Sequence, residues 1–149
     1  MKNTIGFVLK FWRSVTPPRI FVLEHLDQAL AYAKQEFELS EIQPDGNTLR
    51  DALLSVQRQI GRVPKELEDL VELPDCMREY WSWFLRLSNR RPQGMGVSAI
   101  LYSEMLAFFE LIGVVPETYE IEVIEAFDRV ALEHHQDKED RDRAKNKAK

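Results

Sequence analysis

"WSWFLRLSNRRPQGMG", residues Trp81 to Gly96, sets three aromatics in four positions and then turns basic, glycine-bearing and irregular. No alternating pattern supports a strand here, whereas Met77, Tyr80, Trp81, Phe84 and Leu87 or Ser88 recur at helical spacing. At about 100° per residue, Trp83 lies about 200° from Trp81. If one face of this helix enters the core, the other tryptophan is left over, and the reading predicts that Trp83 turns outward. The helix stops where Pro92, Gly94 and Gly96 rule out regular structure, and Arg90 and Arg91 place charge beside the aromatic edge.

The same periodicity extends to both sides. Leu23, Leu26, Leu30, Ala33 and Phe37 alternate steps of three and four, the seam of an amphipathic helix. "QPDGN" (Gln43 to Asn47) stops it, since proline cannot continue a helix and Asp-Gly favours a turn. Thr48 caps a second helix, whose expected buried stripe is Leu49, Ala52, Leu53, Val56 and Ile60, and Gly61 suits the left-handed terminal position. Pro64 opens a short third helix through Leu67, Leu70 and Val71 that ends near Leu73-Pro74. Beyond the basic loop, Tyr102 to Ile112 reads as a helix ended by Gly113. Pro116 opens the last one, with Ile121, Val123, Ile124, Phe127, Val130 and Ala131 as a broad apolar face. The expectation is all α: a compact bundle of four to six short helices with an N-terminal arm and a charged C-terminal tail.

The 149 residues suffice for one core, and the net charge of −5 opposes general nucleic-acid binding. Residues 1 to 19 carry four bases and no acid, leaving 16 bases against 25 acids, a net −9, on the rest. Ile5, Val8, Leu9 and Trp12 follow helical spacing in this arm, which reads as a loosely ordered terminus or an amphipathic docking segment. Lys10 interrupts its apolar stretch, so neither a signal peptide nor a membrane span is expected. The single Cys76 forms no internal disulfide, and a reducing cytoplasm is the expected compartment. The organisation expected is a basic arm at 1–19, an accessory helix at 20–45, a helical domain at 46–132, and a tail at 133–149. That tail has five acids, six bases and two alanines, and reads as a solvated, fraying helix or as disorder.

Catalytic chemistry is nearly absent from the pattern. His134 and His135 are adjacent, so on a helix they point about 100° apart and share an ion poorly. Glu117, Glu120, Glu122, Glu125 and Asp128 lie largely off the apolar stripe and read as a solvated acidic face. No phosphate-cradling loop, nucleophile elbow or HExxH occurs. The stretch from Tyr102 to Phe127 reads as helix, tight turn, helix, but the second helix carries four glutamates and an aspartate before its first base, Arg129, which opposes a recognition helix. The expectation is no enzyme, no cofactor and no metal.

Five stretches in order carry a resemblance: "GNTLRDALLSVQRQIGRVPKELE" (Gly46 to Glu68), "LPDCMREYWSWFLRLSNRR" (Leu73 to Arg91), "GMG", "LYSEMLAFFELIG" (Leu101 to Gly113) and "PETYEIEVIEAFDRVAL" (Pro116 to Leu132). Together they resemble the small tail assembly chaperones of long-tailed bacteriophages. Two features depart from that pattern. Ala99-Ile100-Leu101 stands where a proline and a capping Ser or Thr are frequent, and Tyr119 stands where a tryptophan is common. The resemblance implies a non-enzymatic protein of the host bacterial cytoplasm. It would hold the tape-measure protein, help recruit major tail subunits, and leave the finished particle. A chaperone for a helical, apolar client needs aromatic area its own core does not consume. Trp83, with Arg86, Arg90, Arg91 and Met95, is the expected partner-binding group, and Tyr80, Trp81, Phe84 and Phe127 are the expected core aromatics. In the competing reading, Trp83 packs on the helix at about 20–37 as second-layer core. Two further functions fit the same residues: a self-associating structural component of the particle, and a small regulator binding host proteins through the acidic final helix.

Overall fold

The computed structural model describes residues 19–91 and 97–147. Among these residues the chain is all α, without strands. Its elements are α1 (Arg19–Glu24), α2 (Leu26–Leu39), α3 (Leu49–Ile60), α4 (Lys65–Glu68), a 3-10 turn (Asp75–Met77), α5 (Arg78–Ser88), α6 (Tyr102–Ile112) and α7 (Thr118–Lys147). The basic arm up to Pro18, and Met95 with its loop, lie outside the described residues.

The boundaries follow local chemistry. Thr48 accepts from the Asp51 amide at 3.1 Å while Asp51 reaches back to the Thr48 amide, a reciprocal cap that starts α3. Gly61 ends it at φ +71°, where a side chain would be strained. α6 starts without the capping Ser or Thr its sequence lacks. The Leu101 amide instead donates to Glu104, three residues on, at 3.2 Å. Gly113 closes α6 at φ +68°, and the Val114 amide donates to the Phe109 carbonyl at 3.0 Å, the wrap-around bond of a Schellman end. At the start of α7 the Glu117 amide donates to Glu120 at 2.6 Å.

α2 and α5 both pack on α7, and α5 is the central element. Its buried arc is wider than one face. Trp81 meets Tyr32 and Phe37 of α2 and Phe127 of α7, with ring centroids 5.5, 5.8 and 5.1 Å away. Trp83, on the opposite flank, sets its ring edge-to-face on Phe109 of α6 at 5.1 Å and touches Tyr80. Trp83 is therefore only 6% exposed, and the expectation that it turns outward is corrected. The angular argument is right, but α5 is covered from two sides. The covering of the Trp83 flank comes from α6, not from the N-terminal helix; Trp81 is the residue that meets α2. Tyr80, Phe84 and Phe127 are fully buried and Trp81 is half-buried against them.

Two other expectations change. The α3 stripe is not buried: no α3 residue is, and Ile60 is 66% exposed, because α3 is tied to α2 near its start, through Arg50 and Glu36, and no described element covers its far end. Glu120 and Asp128 do not join a solvated acidic face but are buried beside Val123, Ile124 and Phe127. Of the two readings of the charged tail, helix or disorder, the structure has the helix, which continues α7 to Lys147.

Candidate functional site

The five expected partner-binding residues part company. Trp83 is consumed by the contact between α5 and α6. Arg91, expected at a charged rim, is also internal: its guanidinium pairs with Asp128, and both side chains are more than nine-tenths buried. The same arginine donates to the Ser98 carbonyl at 2.7 Å, and the other Asp128 oxygen accepts from the Ile100 amide at 2.9 Å. One carboxylate on α7 thus fastens both sides of the segment joining α5 to α6. Arg86 stays exposed and lies over the Phe108 ring at 4.7 Å, a cation–π contact, while Arg90 is exposed. Met95 lies outside the described residues.

The apolar surplus resides on α6 instead. This helix is apolar nearly all round, yet it buries only Met105 and Phe109. Tyr102 and Leu106 share one flank, four residues apart, and Leu106 is 62% exposed. Leu111, on the other flank beyond Phe108, is 87% exposed, and Val115 follows at 77%. The Tyr102 hydroxyl donates to Glu125 of α7, which fixes the ring at the edge of this surface and raises its pKa. Arg86, with its Phe108 contact, borders the Leu111 side. Sequence reasoning passed over Leu106, Leu111 and Val115. The available signal was composition: a short helix with apolar residues on every side has more apolar area than one core contact can take.

The rest of the surface offers little chemistry. Among the described residues no group of three or more His, Cys, Asp or Glu side chains could hold a metal ion. His134 lies against Phe37 and 3.2 Å from Glu41, with the His135 ring edge-on to it at 6.2 Å between centroids. Burial pushes the Cys76 thiol up, away from the reactive thiolate. No described helix is long and apolar enough to cross a membrane.

A family model described as phage tail assembly chaperone matches residues 56–133, just over half of the chain. Those residues run from within α3 to within α7, and hold the aromatic helix, the Arg91–Asp128 clamp and the apolar surface of α6. No curated protein and no solved structure matches the chain.

Proposed function

The chain belongs to the phage tail assembly chaperone family, and from that membership we propose that it holds the tape-measure protein through the exposed apolar surface of α6 and helps recruit major tail subunits. The observation that carries this reading is the imbalance on α6, a helix apolar nearly all round that buries two residues and leaves Leu106 and Leu111 in solvent. A client helix with an apolar stripe gains by covering such a surface, at roughly 25 cal/mol per Å² of apolar area. Arg86 and Arg90 supply a charged edge that fixes orientation rather than affinity. The action is binding without catalysis, in the cytoplasm of the host bacterium.

The test is co-expression with the tape-measure protein, followed by capture of the soluble complex. Wild type keeps the client soluble and co-purifies with it. Leu106→Glu and Leu111→Glu lose the client while their unfolding midpoints stay near wild type, since neither side chain is in the core. Retention of the client by both variants would remove α6 as the docking surface. A client that stays insoluble beside the wild-type chain, together with this chain in purified particles, would replace the chaperone reading with that of a structural subunit. Trp83→Ala would not test this surface, because Trp83 is in the core and its loss acts on folding first.

A further inference from the structure

Between α2 and α7 runs an open groove with a volume of about 560 Å³. Both walls are helical, from Leu30 to Glu38 on α2 and from Val130 to Arg141 on α7. At 1.5 Å per residue they run about 12 and about 16 Å. Leu30, Ala31 and Val130 give the groove its apolar lining. Glu133, Asp137 and Asp140 follow at spacings of four and three, so they stand in a row along one face of α7, and Glu38 adds a carboxylate from the α2 wall.

These charges are unevenly committed. Arg141 is engaged by Glu41, and Asp140 by Arg143 and Gln136. Glu38, Glu133 and Asp137 pair with no other described residue, and neither does Lys34, four residues before Glu38. Among the described residues, three uncommitted carboxylates therefore border an apolar lining against one ammonium. A purely aliphatic occupant would leave the acids unmatched, and a small cation would leave the apolar lining uncovered. Lysine or arginine meets both demands, because its methylene stem lies on apolar surface while its charge stays at the edge. Two long helical walls suit a helix that carries several such residues.

We propose that the α2–α7 groove docks a basic amphipathic helix of a partner protein, with its apolar side chains over Leu30, Ala31 and Val130 and its lysines or arginines on Glu38, Glu133 and Asp137. Sign and apolar content match together, so charge orients the helix and burial holds it. Of the groove's lining, only Val130 and Glu133 fall within the residues that match the family model, so family membership does not assign this site. It is separate from the α6 surface, and its test does not involve the tape-measure protein.

The probe is a fluorescein-labelled synthetic peptide of about 14 residues, about 21 Å long as a helix, with leucines along one face and lysines elsewhere. It is titrated against the full chain by fluorescence anisotropy, and amide hydrogen exchange locates it. The expected result is binding, with slowed exchange over residues 30–38 and 130–141. Glu133 and Asp137 are exposed, so the double variant Glu133→Gln/Asp137→Asn keeps an unfolding midpoint near wild type. It should bind the peptide about fivefold more weakly, the loss of two exposed ion pairs. Glu110→Gln/Glu122→Gln, equal in charge change and outside the groove, should bind as wild type. Absence of binding would reject the proposal, and a dimer that Glu133→Gln/Asp137→Asn dissociates would then give the groove to a second copy. Protection of α6 in place of the groove would move the contact elsewhere. No difference between the two double variants would show that the groove acids take no particular part. Equal binding of a peptide with serines for its leucines would reduce the contact to charge alone.

Discussion

Arg91 and Asp128 show how much a single pair decides. The two charges lie out of water, and Asp128 also accepts from the Ile100 backbone, so removing the carboxylate leaves an arginine charge buried alone. Asp128→Ala is expected to cost about 3 to 5 kcal/mol, the usual penalty for breaking a buried pair from one side, measured by urea unfolding at neutral pH. Trp83→Ala is expected to cost a similar amount, about 3 to 5 kcal/mol for a large aromatic leaving a packed site. A loss below about 1 kcal/mol in either variant would contradict the packing described. Tyr80 gives a pH signature. Burial first, then Tyr119 and Glu120, push its pKa well above 10, so the folded state favours the neutral phenol. Its contribution is complete below the unfolded pKa of about 10 and is lost as pH rises beyond it. Tyr80→Phe should therefore unfold less readily than wild type under alkali relative to their difference at pH 7, and parallel stability curves from pH 7 to 11 would exclude this. At this scale the sequence was half legible. Helical arithmetic placed the two tryptophans on opposite flanks of α5, but which flank is covered depends on Phe109 of α6, beyond the reach of a local pattern. The role of Asp128 was hidden in the same way, since its partner lies 37 residues away and a lone acid on an amphipathic helix reads as solvated.

Among elements, α3 and α5 mark the two extremes of support. α5 is covered by α2, α6 and α7, whereas α3 has strong amphipathy and no buried residue. Helix ends proved legible because caps are chemistry of three or four neighbouring residues: Thr48, Gly61 and Gly113 all act where the sequence places them. Burial was less legible because periodicity shows which face is apolar and not what lies opposite it. The stripe from Leu49 to Ile60 is a genuine stripe, and among the described residues no element covers its far end. For a helix held this lightly, the cap is a large share of its stability. Thr48→Ala is expected to lower the local stability of α3 by about 1 kcal/mol. Amide exchange should then quicken across α3 by roughly fivefold, the factor equivalent to that energy, while amides of α5 remain protected. Equal acceleration in both helices would mean that α3 opens only with the whole bundle. The surplus on α6 belongs to the same scale, and it is why Leu106→Glu and Leu111→Glu are expected to affect capture of the client and not folding.

Across the whole molecule the longest element, α7, joins two regimes. Up to Leu132 it is the apolar spine against which α2 and α5 pack; beyond that it carries no aliphatic side chain larger than alanine. The tail residues read as a fraying helix or as disorder for that reason; the helix continues, and its path crosses the end of α2. There the His134 ring lies on Phe37, with its Nε2 3.2 Å from Glu41, and Arg141 pairs with the same carboxylate two turns further on. Composition could not reveal this, because the attachment uses the face of an imidazole and one acid at a separation of 100 residues rather than aliphatic area. An attachment of this kind is local. Arg141 is about half exposed, so its ion pair contributes at most about 1 kcal/mol and weakens with salt. Glu41→Gln removes the charge shared by both partners. Its expected effect is faster amide exchange over residues 134–147, with the global unfolding midpoint moved by less than about 1 kcal/mol. Wild type in 1 M salt should move in the same direction by a smaller amount, since salt screens Arg141 but leaves His134 against Phe37. Unchanged exchange in the tail after Glu41→Gln would show that α7 holds its outer half as an autonomous helix, through its own Glu139–Arg143 pair and backbone, rather than through the corner at Glu41.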